Sequence, residues 1–266
     1  MNKTQNATLP WNASKPLKLA SWNLQIFGAD KARNATLMAI YAGIMKQYDV
    51  IFIQEIRDAS GTAFPKLCAL MTGYQCLNSS RAGRNSSKEQ YGVIYKGVDV
   101  VGTRDYNPDS LGLWERPPFQ VSFRQGDYLF SALVEHTRPD DARSEIAALS
   151  ALATNITGNV VVLGDLNADC TYYRAQDGAS GTGGLGDSSS ANSANNANNS
   201  DFAGWTWAIN SSADTSVANA SCAYDRIIFN PDMSREYARA GVFSQNITPA
   251  VSDHYLVWGE VRVEDG

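Results

Sequence analysis

The sequence predicts an α/β fold with mixed or antiparallel sheets. Apolar runs of strand length alternate along the chain with segments whose apolar residues recur at helical spacing. Two of the strand-like runs are joined through Gln125-Gly126-Asp127, which indicates a hairpin and therefore antiparallel pairing. The chain has 266 residues and is 44% hydrophobic, so it can bury one substantial core. A purely parallel, doubly wound sheet is the less favoured alternative.

Strands and helices alternate in the first part of the chain. Strands are predicted over residues 17–22, 50–54 and 91–95 from their apolar or alternating patterns. A helix between the first two strands is predicted from apolar residues at helical spacing, namely Leu37, Ile40, Tyr41, Ile44 and Met45. A second short helix is expected from Ser60 to Leu70, and a polar loop over residues 78–88 follows it.

The second part of the chain continues this alternation. The hairpin strands cover residues 120–123 and 128–136, and a helix capped by Asp140 or Asp141 is expected next. Further strands are predicted over residues 160–163, 227–229 and 255–263.

One domain is expected over residues 17–264, after a polar N-terminal extension over residues 1–16. Within the domain, residues 177–200 consist almost entirely of Gly, Ser, Ala, Asn and Asp, and we expect a low-complexity insertion there.

Net charge and hydropathy restrict the class of protein. A net charge of −5 and a sequence pI near 5.1 argue against binding to nucleic acid mainly through bulk positive charge, although a nuclease with a local acidic metal site remains compatible. No apolar run approaches the roughly 20 residues that span a bilayer, so no membrane attachment is expected. The polar N-terminus lacks a signal-peptide core, so either an export signal has been removed or the protein is cytosolic.

Two features favour export. The cysteines fall as Cys68 with Cys76 and Cys170 with Cys222, an even number without the CxxC pairs typical of zinc sites, which suits disulfides. Asparagine is followed two places later by Ser or Thr at Asn2, Asn6, Asn12, Asn34, Asn78, Asn85, Asn155, Asn198, Asn210, Asn219 and Asn246. Because such sequons accept N-linked glycans, we expect a secreted glycoprotein; the alternative is a chain rich in Asn, Ser and Thr whose sequons are unused.

Both histidines of the chain, His136 and His254, close apolar strand-like runs. Imidazole transfers protons near neutral pH, so the two rings suggest a general acid/base pair, although either could be an ordinary structural histidine. Other polar residues also follow strand-like runs, and they are Asn23, Glu55, Asp165, Asn167, Asp225 and Asp253. Carboxylate and amide oxygens without cysteine suit a hard cation such as Mg²⁺. A metal beside proton-transfer groups can catalyse the hydrolysis of a phosphate ester.

Several segments resemble a known family. They are Leu19-Ala20-Ser21-Trp22-Asn23-Leu24-Gln25-Ile26-Phe27-Gly28, Gln54-Glu55-Ile56-Arg57-Asp58, Gly164-Asp165-Leu166-Asn167-Ala168, Cys222-Ala223-Tyr224-Asp225-Arg226-Ile227 and Ser252-Asp253-His254-Tyr255. This set resembles the endonuclease/exonuclease/phosphatase superfamily and, within it, the deoxyribonuclease I-like branch. The resemblance implies a four-layer sandwich of two packed mixed or antiparallel sheets flanked by helices. It also implies a monomeric, Mg²⁺- or Mn²⁺-dependent enzyme that hydrolyses mainly double-stranded DNA with little sequence specificity and leaves 5′-phosphate ends.

The resemblance assigns roles at matching positions. His136 is expected to be one acid/base group, oriented by Glu89, and His254 the other, oriented by Asp225. His254 is assigned as the base for water and His136 as the acid for the leaving oxygen, with the reverse left open by the sequence. The remaining polar groups divide into metal ligands, namely Glu55 with Asn23 and Asp253, and residues that hold the phosphate or a second ion, namely Asp165 and Asn167.

Contacts to DNA are expected from Arg57 and Arg84, with Arg116 and Tyr224 nearer the scissile phosphate, because the arginine fork suits phosphate and groove edges. Two departures weaken this expectation. Ser87 replaces a stacking tyrosine of the family pattern and Gln25 replaces an arginine, so groove preference stays open.

The resemblance also implies a structural Ca²⁺ loop. Asp214 matches a family ligand, whereas Ala220 replaces a threonine ligand, and the second Ca²⁺ loop is not recognisable near Gly112 and Pro117. We therefore expect one weak Ca²⁺ site or none.

Two other functions compete with the DNA endonuclease. A related phosphodiesterase acting on RNA or a phospholipid would share the catalytic centre. A non-catalytic secreted binding glycoprotein would merely retain the fold.

Overall fold

A computed structural model describes residues 16–84, 86–173 and 201–263. The expected insertion at 177–200, and all but one residue of the expected N-terminal extension, lie outside the described residues.

Within the described residues, twelve strands alternate with five helices. The strands are β1 Leu17–Phe27, β2 Val50–Ile56, β3 Gln75–Asn78, β4 Gln90–Tyr95, β5 Asp99–Asp105, β6 Phe119–Gln125, β7 Tyr128–His136, β8 Asn159–Asp165, β9 Thr206–Trp207, β10 Asp225–Phe229, β11 Tyr237–Phe243 and β12 Leu256–Val261. The helices are α1 Ala29–Arg33, α2 Ala35–Met45, α3 Ala63–Leu70, α4 Ala142–Ala153 and α5 Pro231–Ser234.

The strands form two six-stranded mixed sheets, which confirms the predicted α/β sandwich. The first has the order β11-β12-β1-β2-β4-β3 and the second β5-β6-β7-β8-β10-β9. Each sheet contains one parallel pair, β1 with β2 and β7 with β8, and its other pairs are antiparallel. The carboxyl ends of each parallel pair lie together, so each sheet brings two strand ends to one edge.

Three apolar cores hold four layers together. The central core lies between the sheets and includes Phe52, Phe123 and Phe229. A second core packs the first sheet against α2 and α3, and a third packs the second sheet against α4. Because β1, β2, β7 and β8 are covered on both faces, their near-continuous apolar runs are the pattern expected of buried strands.

All of the strands predicted from apolar runs are present, but β3, β5, β9 and β11 were not predicted. β3, β5, β9 and β11 are the outermost strands of the two sheets, and β5 is exposed along most of its length. An exposed edge strand needs neither an apolar run nor a strict alternation, so its sequence carries little signal.

The predicted helix starts need correction. α3 begins at Ala63 rather than near Ser60, because the Asp58 carboxylate accepts the amide protons of Ser60, Thr62 and Ala63 and fixes a turn before the helix. Asp141 precedes α4 as predicted, but its side chain makes no capping hydrogen bond; a 3-10 turn over Pro139–Asp141 leads into the helix instead.

Two disulfides occur, as predicted, between Cys68 and Cys76 and between Cys170 and Cys222. The first links α3 to β3. The second links the loop after β8 to the segment before β10, so it fastens together two segments that enter the edge where the strand ends meet. In the described part of the chain no helix is long and apolar enough to cross a membrane.

Candidate active site

The strand ends of the two sheets converge on one polar centre. Asn23 lies near the end of β1 and Glu55 near the end of β2, while His136 and Asp165 are the last residues of β7 and β8. Asn23 joins the sheets, because its Nδ2 donates to Glu55 Oε1 at 3.2 Å and to Asp165 Oδ2 at 2.9 Å. The structure therefore brings together side chains that the sequence placed at the ends of separate strands.

His136 is buried and held by a carboxylate. Its Nδ1 lies 2.8 Å from Glu89 Oε1, and its backbone amide donates to the Tyr91 hydroxyl at 3.0 Å. Burial and the Arg116 guanidinium lower the pKa of His136, but Glu89 and Asp165 outweigh them and leave that pKa raised. Burial raises the pKa of Glu89, yet His136, Arg116 and Arg57 lower it to about 2.

His254 has the same arrangement on the other side. Its Nδ1 lies 2.8 Å from Asp225 Oδ2, the first residue of β10. Burial lowers the pKa of His254, but Asp225 and Asp165 raise it well above its usual value. Since each imidazole uses Nδ1 for its own carboxylate, Nε2 of each ring is the atom that faces the centre.

Asp165 stands between the two rings. Its Oδ2 lies 3.4 Å from Nε2 of His136 and 3.4 Å from Nε2 of His254. Burial raises the pKa of Asp165, but the two histidines and the Asn23 amide lower it, so the carboxylate is charged. Asn167 follows two residues later, and its Nδ2 donates to the Thr137 carbonyl, which fixes the loop beyond His136.

The end of β1 is strained where it meets Glu55. Gln25, Ile26 and Glu55 all have positive φ, at 46°, 54° and 61°, and the β1–β2 register shifts between Asn23 and Phe27. Such conformations cost non-glycine residues about 1–3 kcal/mol each. The bulge directs the Ile26 amide to Glu55 Oε2 and the Gln25 amide to Asn23 Oδ1, both at 2.8 Å.

Two of the four residues expected to contact DNA are engaged inside the centre. Arg57 Nε lies 3.3 Å from Glu55 Oε2 and 3.2 Å from Glu89 Oε2. Arg116 is largely buried; its Nε lies 2.8 Å from Glu89 Oε1, and it donates to the carbonyls of His136 and Thr137 at 2.7 Å each. Arg116 therefore clamps the backbone that carries His136.

The other predicted contact residues lie further out. Arg84 is exposed, and its side chain donates to the Gly112 carbonyl. The Tyr224 ring lies 6.2 Å from the His254 ring and 5.8 Å from the Tyr172 ring. Asp214 is exposed, and its carboxylate accepts the Ser216 amide. It does not lie in a cluster of carboxylates and histidines among the described residues, so its role as a Ca²⁺ ligand stays a prediction.

Four positioning residues were missed by the sequence reasoning. Glu145 accepts the amides of Glu115 and Arg138, and the buried Arg226 donates to the Ala168 carbonyl. Trp22 Nε1 donates to the His254 carbonyl, and the Ser252 hydroxyl donates to the Asn23 carbonyl. Trp22, Ser252 and Arg226 lie in the quoted motifs, which was the available signal, whereas Glu145 looked like an ordinary helix residue.

Among the described residues, those that could hold a cation form two groups, Glu55 with Glu89 and His136, and Asp165 with Asp225 and His254. Asp253 lies beside them, with Oδ1 3.9 Å from His254 Nε2. This Oδ1 is shielded from water and has no hydrogen-bond partner among the described residues. A shielded, unpartnered carboxylate oxygen near other carboxylates fits a hard divalent cation, which takes oxygen ligands. The side-chain oxygen of Asn23 accepts the Gln25 amide, so it faces away from the two carboxylates. Its Nδ2 donates to Glu55 and to Asp165, and Asn23 therefore links these two residues.

Comparison with known proteins agrees with this geometry. The model of the Endonuclease/Exonuclease/phosphatase family matches residues 20–254. Deoxyribonuclease-1 of Gallus gallus is 31% identical over 94% of this chain and 94% of its own, and Deoxyribonuclease-1 of Homo sapiens is 30% identical over 91% and 90%. Among solved structures, TDP2 of D. rerio complexed with single-strand DNA product has a TM-score of 0.61 at 14% identity, covering 93% of this chain and 99% of that one. The last similarity concerns the fold alone.

Proposed function

The chain belongs to the endonuclease/exonuclease/phosphatase family, in its deoxyribonuclease I-like branch, and from this premise we propose that it hydrolyses the phosphodiester bonds of double-stranded DNA as a metal-dependent endonuclease. It would cut with little sequence specificity and leave 5′-phosphate ends. The observation that carries the proposal is the convergence of two carboxylate-oriented imidazoles on Asp165. That arrangement supplies a base and an acid on either side of one phosphate.

Glu55 and Asp253 would hold the cation, Mg²⁺ or Mn²⁺, with Asn23 linking Glu55 to Asp165. When bound, the cation offsets negative charge on the phosphate and on its own ligands. Neutralising Asp253 also matters for His254, because Asp253 is one of the carboxylates that raise the pKa of His254. A cation held there would offset the Asp253 charge and so favour the neutral His254 ring that accepts a proton at Nε2.

The histidines then divide the proton transfers. His254 Nε2 takes a proton from the attacking water, and Asp225 stabilises the imidazolium that forms. His136 Nε2 donates a proton to the leaving 3′ oxygen, and Glu89 keeps that ring charged beforehand. Arg116 holds the carbonyls of His136 and Thr137, and Asn167 also donates to the Thr137 carbonyl, while Tyr224 and Asn167 would contact the phosphate. The scissile phosphate would occupy the space between the two Nε2 atoms, beside Asp165.

Incubation with supercoiled plasmid tests this proposal. We expect nicked circles with Mg²⁺ and none with EDTA. His254→Ala should lower the rate by about 100- to 10,000-fold while circular dichroism still shows a folded protein, as is typical of a lost general base. Gln54→Ala, a buried site neighbour that hydrogen-bonds Ser21, is a control for packing near the centre without loss of a proton-transfer group.

Intact plasmid would reject the DNA endonuclease and direct the same assay to RNA and to phospholipid head groups. An unchanged rate in His254→Ala would reject the histidine assignment. If no phosphodiester is cleaved, the non-catalytic binding glycoprotein becomes the better description.

We also propose that the protein is secreted and N-glycosylated, and that it acts as a monomer without membrane attachment. All six sequon asparagines among the described residues are exposed, and they are Asn34, Asn78, Asn155, Asn210, Asn219 and Asn246. Two disulfides, with no free cysteine in the chain, support an oxidising compartment.

Enzymatic removal of N-glycans from protein secreted by a eukaryotic host should increase gel mobility; unchanged mobility would reject the glycosylation. Light scattering after size exclusion should give the mass of one chain.

A further inference from the structure

Ile26 is an unusual residue for its position. It has φ 54°, in the left-handed region that β-branched side chains rarely adopt, and its side chain is 57% exposed. Neither property stabilises the isolated protein, because an exposed isoleucine gains little from packing and the backbone conformation is strained. Glycine or asparagine would adopt this conformation more easily.

The Ile26 backbone makes a hydrogen bond within the protein, whereas the exposed Ile26 side chain gains little from packing. The Ile26 amide donates to Glu55 Oε2, and that bond requires the positive φ of the bulge. Any residue except proline would supply the same amide. The hydrogen bond therefore explains the strained turn but leaves the choice of an apolar, β-branched side chain unexplained by the protein alone.

The location of Ile26 suggests what the side chain meets. Its amide is 2.8 Å from a carboxylate that borders the catalytic centre, and its side chain points into solvent at the rim. In the proposed function, a nucleic-acid strand with one phosphate between His136 and His254 extends beyond the centre, and Ile26 lies at the edge of that centre, beside Glu55. The polymer offers apolar surface in the deoxyribose and the base edges, and Ile26 offers an exposed apolar side chain beside the neutral amide of Gln25.

We propose that Ile26 is a substrate-contact residue that packs against the sugar and base edge of the nucleotide adjoining the scissile phosphate. This contact rests on the proposed function. It is uncharged, so it adds affinity for the polymer without adding to the salt dependence of binding. It acts on long substrates and not on the chemical step, which distinguishes it from Glu55 and the histidines.

Three substitutions at this position separate the side chain from the backbone. Ile26→Asn and Ile26→Gly both tolerate positive φ and keep the amide, but they remove the apolar side chain, whereas Ile26→Val retains most of it. We expect kcat/KM on plasmid DNA to fall about tenfold in the Asn and Gly variants and less than about twofold in the Val variant. Cleavage of bis(p-nitrophenyl) phosphate, which has no neighbouring nucleotide, should be unchanged in all three.

A second readout does not depend on catalysis. The affinity for a fluorescein-labelled duplex, measured by anisotropy in EDTA, should weaken about tenfold in Ile26→Asn and Ile26→Gly. The melting temperature of Ile26→Asn should equal or exceed that of the wild type, because strain is relieved. Leu129→Asn is the matched control, because Leu129 is also an exposed apolar residue, with 55% exposure. It lies near the opposite end of β7 from His136, and seven residues at the rise of a β-strand place it about 23 Å from that histidine.

The outcomes are distinguishable. If wild-type protein nicks plasmid and the Asn and Gly variants match it in kcat/KM and duplex affinity, the Ile26 contact is wrong while the endonuclease stands. Equal losses on plasmid and on the small diester would also overturn the contact, because they would show a role for Ile26 in the chemical step. If wild-type protein cleaves no DNA, the proposed function fails and the contact fails with it.

Discussion

His136 and His254 direct their Nε2 atoms at the same oxygen, Asp165 Oδ2, each from 3.4 Å. One ring comes from the end of β7 and the other from the segment before β12, so the two sheets contribute one imidazole each. The surroundings nevertheless differ, since Arg116 lowers the pKa of His136 whereas Asp253 raises that of His254. We infer that His254 is the more basic of the two rings in the metal-free protein.

The first prediction concerns the protonation of these rings. The chain has only two histidines, so ¹⁵N imidazole spectra of metal-free protein contain two ring systems. We expect both to titrate above the ordinary histidine pKa, with His254 higher. Asp165→Asn removes a negative charge from both Nε2 atoms and should lower both pKa values together. His254→Gln assigns the signals, and a pKa that falls in only one ring would contradict the shared role of Asp165.

The second prediction concerns acid stability. His136, Arg116 and Arg57 hold the pKa of Glu89 at about 2, below its ordinary value of 4.5. A carboxylate with a depressed folded-state pKa stabilises the fold fully above its unfolded-state pKa and loses that contribution as pH falls towards the folded-state value. The free energy of unfolding, measured by urea titration, should therefore decline from about pH 4.5 down to about pH 2.

Glu89→Gln tests the origin of that decline. The variant should be less stable than the wild type at pH 6, and the difference should shrink as pH falls below 4.5, because protonated glutamate and glutamine then carry the same charge. Parallel stability curves for the two proteins across this range would show that other groups cause the acid sensitivity.

Much of this site was visible in the sequence, and the reasons are physical. Asn23, Glu55, His136, Asp165 and His254 interrupt or end apolar runs, and a polar residue there stands out against its neighbours. The pairing of Glu89 with His136 came only from family resemblance, because no pattern in the sequence places β4 beside the end of β7.

The parts that were missed depend on tertiary geometry. The first strand was predicted only to residue 22, and nothing in the sequence indicates the bulge opposite Glu55 that gives Gln25 and Ile26 positive φ. Glu145 precedes the apolar residues Ile146, Leu149 and Leu152 of α4, yet it is buried, and it accepts the amide of the distant Glu115 as well as that of the nearby Arg138. Long-range backbone contacts leave no periodicity to detect.

The third prediction assigns a positioning role to Glu145. Its Oε1 accepts the Glu115 amide at 2.6 Å and its Oε2 accepts the Arg138 amide at 2.8 Å. Glu115 precedes Arg116, and Arg138 lies two residues after His136. The Glu145 carboxylate therefore fixes the backbone next to both partners of the Arg116–His136 hydrogen bond. Glu145→Gln replaces one acceptor with an NH₂ group that faces an amide donor. We expect unfolding to become easier by about 1–3 kcal/mol and kcat to fall about tenfold with KM unchanged.

A purely structural role would lower stability alone. Glu260→Gln is the matched control, because Glu260 is also buried and pairs with Arg239 in the first sheet, away from His136. It should lose stability and keep kcat. The His136 imidazole signal should move in Glu145→Gln and stay in place in Glu260→Gln; an unmoved signal and an unchanged kcat in Glu145→Gln would reject the positioning role.

The fourth prediction concerns salt. The net charge is −5, and Arg57 and Arg116 of the site already form ion pairs with Glu55 and Glu89, so these two arginines are not free to displace counterions from DNA. Because the slope of log affinity against log salt is about −0.9 per phosphate neutralised, a slope no steeper than about −3 is expected for kcat/KM on plasmid.

Arg84→Ala should make the slope shallower by about 1, since Arg84 is exposed and carries no ion pair among the described residues. Arg124→Ala, which removes an exposed arginine paired with Asp99 on β5, should leave the slope unchanged. A steep loss of activity between low and moderate salt would mean that cations other than Arg84 dominate DNA binding.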